Sequence, residues 1–336
     1  SLKYSSSALT LMETPRILVL PNAVRRYRTD IFMLADTLLG DFAPETLPAA
    51  SALRFPDGAD FRIEIPSIEG PKVLTAVLDE AQRRKVIVNR VSQGSGAMLH
   101  TEAELREMSR IASDSGLEVS IFIGPREEWG IGAMSRGPEG AALNGSVRGM
   151  RQLRYAVEDS MRAIECGIRG LLIADLGLLQ ILSQAREKNQ IPKDVVFKVS
   201  AMEAPSNPAT LKLLESLGSD TVNLPTDLTL GELAEMRAAS RLPLDLYVES
   251  PDGLGGVVRG NEIADLVAIS SPLYVKFGLR NSRGLYPSGM HIENDAILIA
   301  REKVRRAEIS LEWLKRAQLP LVQSKPGALG LGIPKK

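Results

Sequence analysis

From about residue 60 onward, short runs of alternating apolar and polar residues take turns with longer stretches whose apolar residues recur at i, i+3, i+4 and i+7. The short runs predict strands at FRIEIP (61–66), KVIVNRV (85–91), LEVSIFIG (117–124), GLLIAD (170–175), VVFKVSA (195–201), DTVNLP (220–225), PLDLYVES (243–250) and PLYVKFG (272–278). The long stretches predict helices between them, from PKVLTAVLDEAQRR after the first strand to NDAILIAREKVRRAEISLEWLKRAQ after the last. Start and stop signals agree. Thr101 with Glu104 has the spacing of a capping box, Pro208 follows Asn207, and Gly116, Gly167 and Gly218 stand where helices should end. A strand followed by a helix, repeated eight times, predicts the α/β fold of a (β/α)8 TIM barrel.

The repeat also sets boundaries. Residues 1–57 do not fit it; they offer one strand, RILVLP (16–21), and one helix, TDIFMLADTLLGDF (29–42), and are expected to form a short N-terminal extension packed on the barrel. The barrel is expected over 58–318 and a flexible tail over 319–336. The Gly-rich insert 127–146 follows the third strand, on the face where barrel enzymes carry lids.

Alternation decides which side chains enter the barrel. If Leu246 and Val248 face the helices, Asp245, Tyr247 and Glu249 face inward. The same parity sends Tyr274, Lys276 and Gly278, Lys198 and Ser200, Arg62 and Glu64, Asn223, and Glu118 and Ser120 inward, while Asp175 closes the fourth strand. An interior this charged needs mutual pairing, water or a ligand, because an unpaired buried ion costs several kcal/mol, on the order of a broken buried pair. Arg62, Glu118 and Asp245, low in their strands, read equally as a structural lattice or as part of a site. The candidate catalytic set is Glu64, Asp175, Lys198, Glu249 and Lys276, near the C-terminal strand ends where this fold concentrates chemistry. Candidate substrate contacts are Asn89, Ser200, Asn223, and Arg280 with Arg283 in GLRNSRGLYPSG (278–289), a loop placed where such barrels hold phosphate or carboxylate.

Three chemistries suit this set. The carboxylates and lysines could push one another's pKa values apart for acid–base work, a lysine could attack a carbonyl or deprotonate Ser200, or Glu64, Asp175 and Glu249 could hold Mg²⁺ or Mn²⁺.

Composition narrows the partners. The 41 basic and 41 acidic residues cancel, so no overall field recruits nucleic acid, and a small-molecule or peptide substrate is expected. The most apolar segment, GLLIADLGLLQIL (170–182), is too short to span a bilayer and is interrupted by Asp175. A lone cysteine, Cys166, cannot hold an iron–sulfur cluster by itself and fits a cytoplasmic setting, and two histidines leave little for zinc sites or Ser/His/Asp triads. A homo-oligomer is compatible with all of this.

Several stretches resemble the U32 peptidase-like family: IRGLLIADLGLLQIL, KVSAMEAPSNPATLKLLESLG, ESLGSDTVNL and DTVNLPTDLTLGELAEMR, with FRIEIPSIEGPKVLTAVLDEA a looser match. The similarity runs over about residues 60 to 250, and DLG and LTLGEL are its most specific parts. It implies a barrel and a hydrolase acting on a small or peptide-like substrate. The chain departs from the family's E-x-F-x-H-G signature and the cysteines after it; the matching positions are Asp245, Tyr247, Glu249 and Ser250, with no cysteine following. Members that carry an iron–sulfur cluster are therefore poor guides to its activity. A Schiff-base lyase or aldolase using Lys198 or Lys276, and a non-catalytic partner subunit, are the other readings.

Overall fold

The computed structural model describes residues 35, 38–42 and 45–336. The strand expected at 16–21 and most of the helix expected at 29–42 lie outside the described residues. The chain divides into two units, Ser1–Ala43 and Pro44–Lys336, and the second contains the barrel.

Eight parallel strands close in the order β1 to β8. They are β1 Phe61–Pro66, β2 Arg90–Gln93, β3 Glu118–Phe122, β4 Gly170–Ile173, β5 Val196–Val199, β6 Thr221–Asn223, β7 Leu244–Glu249 and β8 Leu273–Phe277. The helices follow in turn: α1 Pro71–Arg84, α2 Glu102–Asp114, α3 Gly149–Glu165, α4 Leu176–Glu187, α5 Pro208–Ser216, α6 Leu230–Ala239, α7 Ile263–Ser270 and α8 Glu293–Arg316. The molecule is a (β/α)8 TIM barrel. No helix among the described residues is long and apolar enough to cross a membrane.

The local signals act as their chemistry requires. Thr101 accepts from the Glu104 amide while the Glu104 carboxylate accepts from the Thr101 amide, and Thr229 and Glu232 repeat this box on α6. Asn207 accepts from the Thr210 amide at 2.9 Å, with Pro208 in the first turn of α5. The strands' outward faces, Ile63, Ile65, Val91, Val119, Leu171, Phe197, Val222, Leu246 and Val275, have no more than 1% exposure and pack under the apolar faces of the helices. The main core is this shell between sheet and helices.

One strand departs from the expected register. The second apolar run was expected to pair over 85–91, but the strand is Arg90–Gln93. Asn89 explains the shift: its side-chain oxygen accepts from the Ile63 amide at 2.9 Å and its side-chain amide donates to the Ser324 carbonyl at 2.9 Å. It is a structural bracket at the base of the barrel.

The segment expected to be a flexible tail is a strap across that base. Gln323 forms a parallel bridge with Phe61, the Gly327 amide donates to the Gly116 carbonyl at 2.8 Å, and the Lys335 amide donates to the Gly167 carbonyl at 2.8 Å. Buried charges below the sheet hold it. Arg62 donates to Ser324 Oγ at 3.0 Å and to the Leu329 carbonyl at 2.7 Å, and the Gly332 amide donates to Glu118 Oε2 at 3.1 Å. Phe55 completes the floor, 4.0 Å from the Arg62 guanidinium and edge-on to Tyr274.

Candidate functional site

The register places opposite charges side by side. Glu64 stands opposite Arg90 on one side and Lys276 on the other, and Arg90 stands opposite Glu118. Inward parity then carries their side chains to the axis. Glu64 accepts from Arg90 Nε at 2.6 Å, from Ser92 Oγ at 2.6 Å, and from Lys198 Nζ at 2.5 Å through each oxygen. Lys276 Nζ lies 3.6 Å from the same carboxylate and donates to Asn223 Oδ1. Arg90 also binds Asp245 at 2.5 Å, and Lys198 lies 3.5 Å from Asp245. Glu64, Arg90, Lys198 and Asp245 have no exposure at all.

Electrostatics differ sharply within this group. Burial opposes the charge of Glu64, but Arg90, Lys198 and Lys276 overcome it and hold the carboxyl well below the usual carboxylate range. Lys198 goes the other way: burial, then the adjacent Arg90 charge, bring it down to about 7 against the pull of Glu64. Burial also lowers Lys276, with Glu64 opposing. Its ammonium lies 4.1 Å over the Tyr247 ring. The cluster therefore contains a fixed anion, a fixed guanidinium, and an amine that can change protonation near neutrality.

Of the candidate catalytic residues, Glu64, Lys198 and Lys276 converge. Glu249 does not: the β7–β8 register shifts between Tyr247 and Glu249, and the carboxylate instead accepts from the Arg280 amide at 3.2 Å and lies 3.5 Å from Arg306 Nε on α8. Asp175 is the N-cap of α4, accepting from the Leu178 amide at 2.9 Å, and its other oxygen accepts from the Val147 amide at 2.8 Å. The three carboxylates weighed as Mg²⁺ or Mn²⁺ ligands are therefore not assembled, and no group of three or more metal-ligating side chains occurs among the described residues.

Among the candidate substrate contacts, Asn223 joins the cluster, donating to the Val199 carbonyl at 2.6 Å while holding Lys276. Ser200 caps a short turn through the Met202 amide, at 3.2 Å. Asn89 is the bracket described above. Arg280 and Arg283 face solvent, 60% and 66% exposed, and Arg283 is ion-paired with Asp295 at 2.5 Å. Arg90 was missed by sequence reasoning. Its signal is the alternation that puts Val91 outward and hence Arg90 inward, which a strand drawn over 85–91 conceals.

At the C-terminal mouth, loops from distant strands are tied together. Glu69 accepts from the Gly94 and Ser95 amides at 2.9 and 3.1 Å, and Ser95 Oγ accepts from the Ser288 amide at 2.8 Å. Tyr286 lies directly on Gly94, where an added Cβ would come within 2.3 Å of the ring, so only glycine permits that approach. Two surface grooves, one beside Leu53, Arg237 and Ile269 and one beside Met161, Ile181 and Lys188, belong to the helical layer and not to the axis.

Residues 141–250 match the Peptidase family U32 profile. Among solved structures, the U32 peptidase Mk0906 is 16% identical, over 62% of this chain and 73% of that one, with a TM-score of 0.35. A 2,3-dimethylmalate lyase of the PEP mutase/isocitrate lyase superfamily is 12% identical over 77% of this chain and 90% of its own, with a TM-score of 0.43. An oxaloacetate acetylhydrolase in complex with the product oxalate is 11% identical over 65% and 75%, with a TM-score of 0.42. No curated protein matches. The closed sheet, not these likenesses, fixes the fold class. The matched stretch runs from the lid to the end of β7 and carries Lys198, Asn223 and Asp245. Over residues 141–250, about a third of its length, the chain is similar to Peptidase family U32.

Proposed function

We propose that the chain is a barrel hydrolase acting on an amide-like bond of a small or peptide-like substrate, with Lys198 as general base. The observation that carries this reading is the convergence of two lysine amines on one saturated carboxylate at the barrel axis. Glu64 already accepts from three side chains, so it positions the amines and is not free to react. Lys198, with a pKa near 7, is substantially neutral at neutral pH and can take a proton from water. The hydroxide formed adds to the carbonyl, the Lys276 ammonium stabilises the developing oxyanion, and Lys198 returns its proton to the departing amine. Lys198 is fully buried, so substrate approaches from the side of Tyr247 and Lys276, whose exposures of 8% and 3% mark the more accessible end. The U32 match supports the hydrolase class.

The test is cleavage of an amide and peptide library, read by mass spectrometry. Wild type should cleave a subset, with a rate that climbs as pH passes upward through about 7, because the base works only when deprotonated. Lys198→Met should lose at least about 10²-fold in rate, the scale of a general base, while remaining folded. Wild-type turnover by Lys198→Met would rule the reading out. If Lys198→Met instead loses activity and stability together, the cluster is a lattice and the barrel a candidate partner subunit.

The same desolvated amine supports a second reading, attack on a carbonyl to form a Schiff base at Lys198 or Lys276. Borohydride reduction with a pool of carbonyl compounds would then leave a stable mass adduct on one of these lysines. An unmodified protein rejects it.

A further inference from the structure

We infer that Arg126 is an oxyanion-binding site at the C-terminal mouth of the barrel, built to hold the carboxylate or phosphate group of a small ligand. Arg126 opens the lid, just beyond the end of β3. Its side chain is 3% exposed. The guanidinium carbon lies 3.6 Å from the centre of the Trp129 ring, 4.5 Å from that of Phe122 and 6.0 Å from that of Tyr286, so residues from β3, the lid and the loop after β8 surround it. Aromatic contacts hold a guanidinium in place and leave its N–H edge for recognition.

That edge makes no hydrogen bond. Nε and Nη2 are buried and neither has a hydrogen-bond partner. Glu128 Oε2 lies 3.2 Å from Nε, yet the pair is not aligned as a hydrogen bond and this oxygen is itself without a partner. An unsatisfied buried donor costs about 1–3 kcal/mol, and two on one guanidinium mark a place kept for an acceptor. A planar fork of N–H groups without hydrogen-bond partners matches paired oxygens of a carboxylate or a phosphate. Glu128, at 35% side-chain exposure, can turn to solvent as an anion takes its place. Sequence reasoning looked for this function after β8, but Arg283 there is spent on Asp295 and both arginines are open to water. Assigning the bound anion to the substrate rests on the reading of the barrel as an active site; the binding itself does not.

The test uses Trp129 as reporter. The chain has two tryptophans, so Trp313→Phe leaves Trp129 alone. Its fluorescence is titrated with inorganic phosphate and, separately, with acetate at constant ionic strength, with chloride as the reference. Saturable responses with Kd in the millimolar range or tighter are expected, and the tighter anion names the group the site takes. Arg126→Gln should weaken binding at least about tenfold, the order expected when a charge-assisted fork is lost. Arg126→Lys, which keeps the charge and the stem but not the fork, should also bind more weakly than the parent and guards against a folding defect. The titration is read without substrate turnover and in protein that keeps Lys198, so failure of the catalytic reading leaves this result standing. No saturable response to either anion beyond chloride, or an unchanged response in Arg126→Gln, overturns the proposal.

Discussion

At the residue scale, Glu64 and Lys198 play unlike parts although they touch. Glu64 keeps its charge because Arg90, Lys198 and Lys276 together outweigh its burial, and its low pKa means it favours folding at neutral pH. A depressed carboxyl contributes stability above its unfolded value and loses it as pH falls through the folded one, so this contribution is present at pH 7 and fades in acid. Glu64→Gln removes the anion that compensates Arg90 and both lysines; it should lower unfolding free energy by about 3–5 kcal/mol, as broken buried pairs do, measured by urea denaturation. A loss below about 1 kcal/mol, typical of exposed pairs, would show that the cluster does not depend on it. Lys198 has linkage of the same sign, in a higher pH window. Its folded pKa is lowered, so the unfolded chain binds more protons between about 7 and the ordinary lysine value near 10.4, and its contribution to stability rises with pH across that window.

At the scale of elements, Asp175 shows how a strand-end acid can be structural. Its two oxygens serve the amides of Leu178 and Val147, which start α4 and pin the end of the lid insert. Asp175→Ala should therefore cost about 1–2 kcal/mol, the upper range for a lost cap, and Asp175→Asn should retain most of the stability because asparagine caps as well. Thermal unfolding of the two variants, with library cleavage in parallel, separates capping from chemistry: a stable Asp175→Asn without activity would return this residue to the catalytic set. The helix boundaries were legible from Thr101, Asn207 and the stop glycines because capping depends on neighbours within one turn. The fate of Glu249 was not, because a register shift is a relation between two strands.

At the scale of the whole molecule, the barrel has a floor and a mouth with different tasks. The strap over 319–336 closes the floor by receiving N–H groups of Arg62 and Asn89 and donating to Glu118, all buried side chains, from β1, the residue before β2, and β3. Deleting residues 319–336 would remove these hydrogen bonds; at about 1.5–3 kcal/mol for each of those that Arg62 and Glu118 make, the shortened chain should unfold at markedly lower urea concentration. A truncated protein as stable as the parent would mean that the strap is an ornament. The mouth has looser ties, loop to loop through Glu69, Ser95 and Tyr286, and among the described residues it holds the one guanidinium for which buried donors without hydrogen bonds, Nε and Nη2, meet an aromatic cage.

Alternation and helical periodicity, which are properties of consecutive residues, determined the number of strands, their order as βα units, the outward apolar face and the inward parity of Glu64, Lys198, Asn223, Asp245 and Lys276. Only the closed barrel decided which of these ions meet. Pairing between strands set Arg90 against Glu64, the bulge turned Glu249 towards α8, and the strap reached Arg62 from more than 250 residues away along the chain, |i−j| = 262 for its bond to Ser324. Those contacts depend on register, stagger and chain return, which bring distant residues together and leave no periodic trace in a single strand's own sequence.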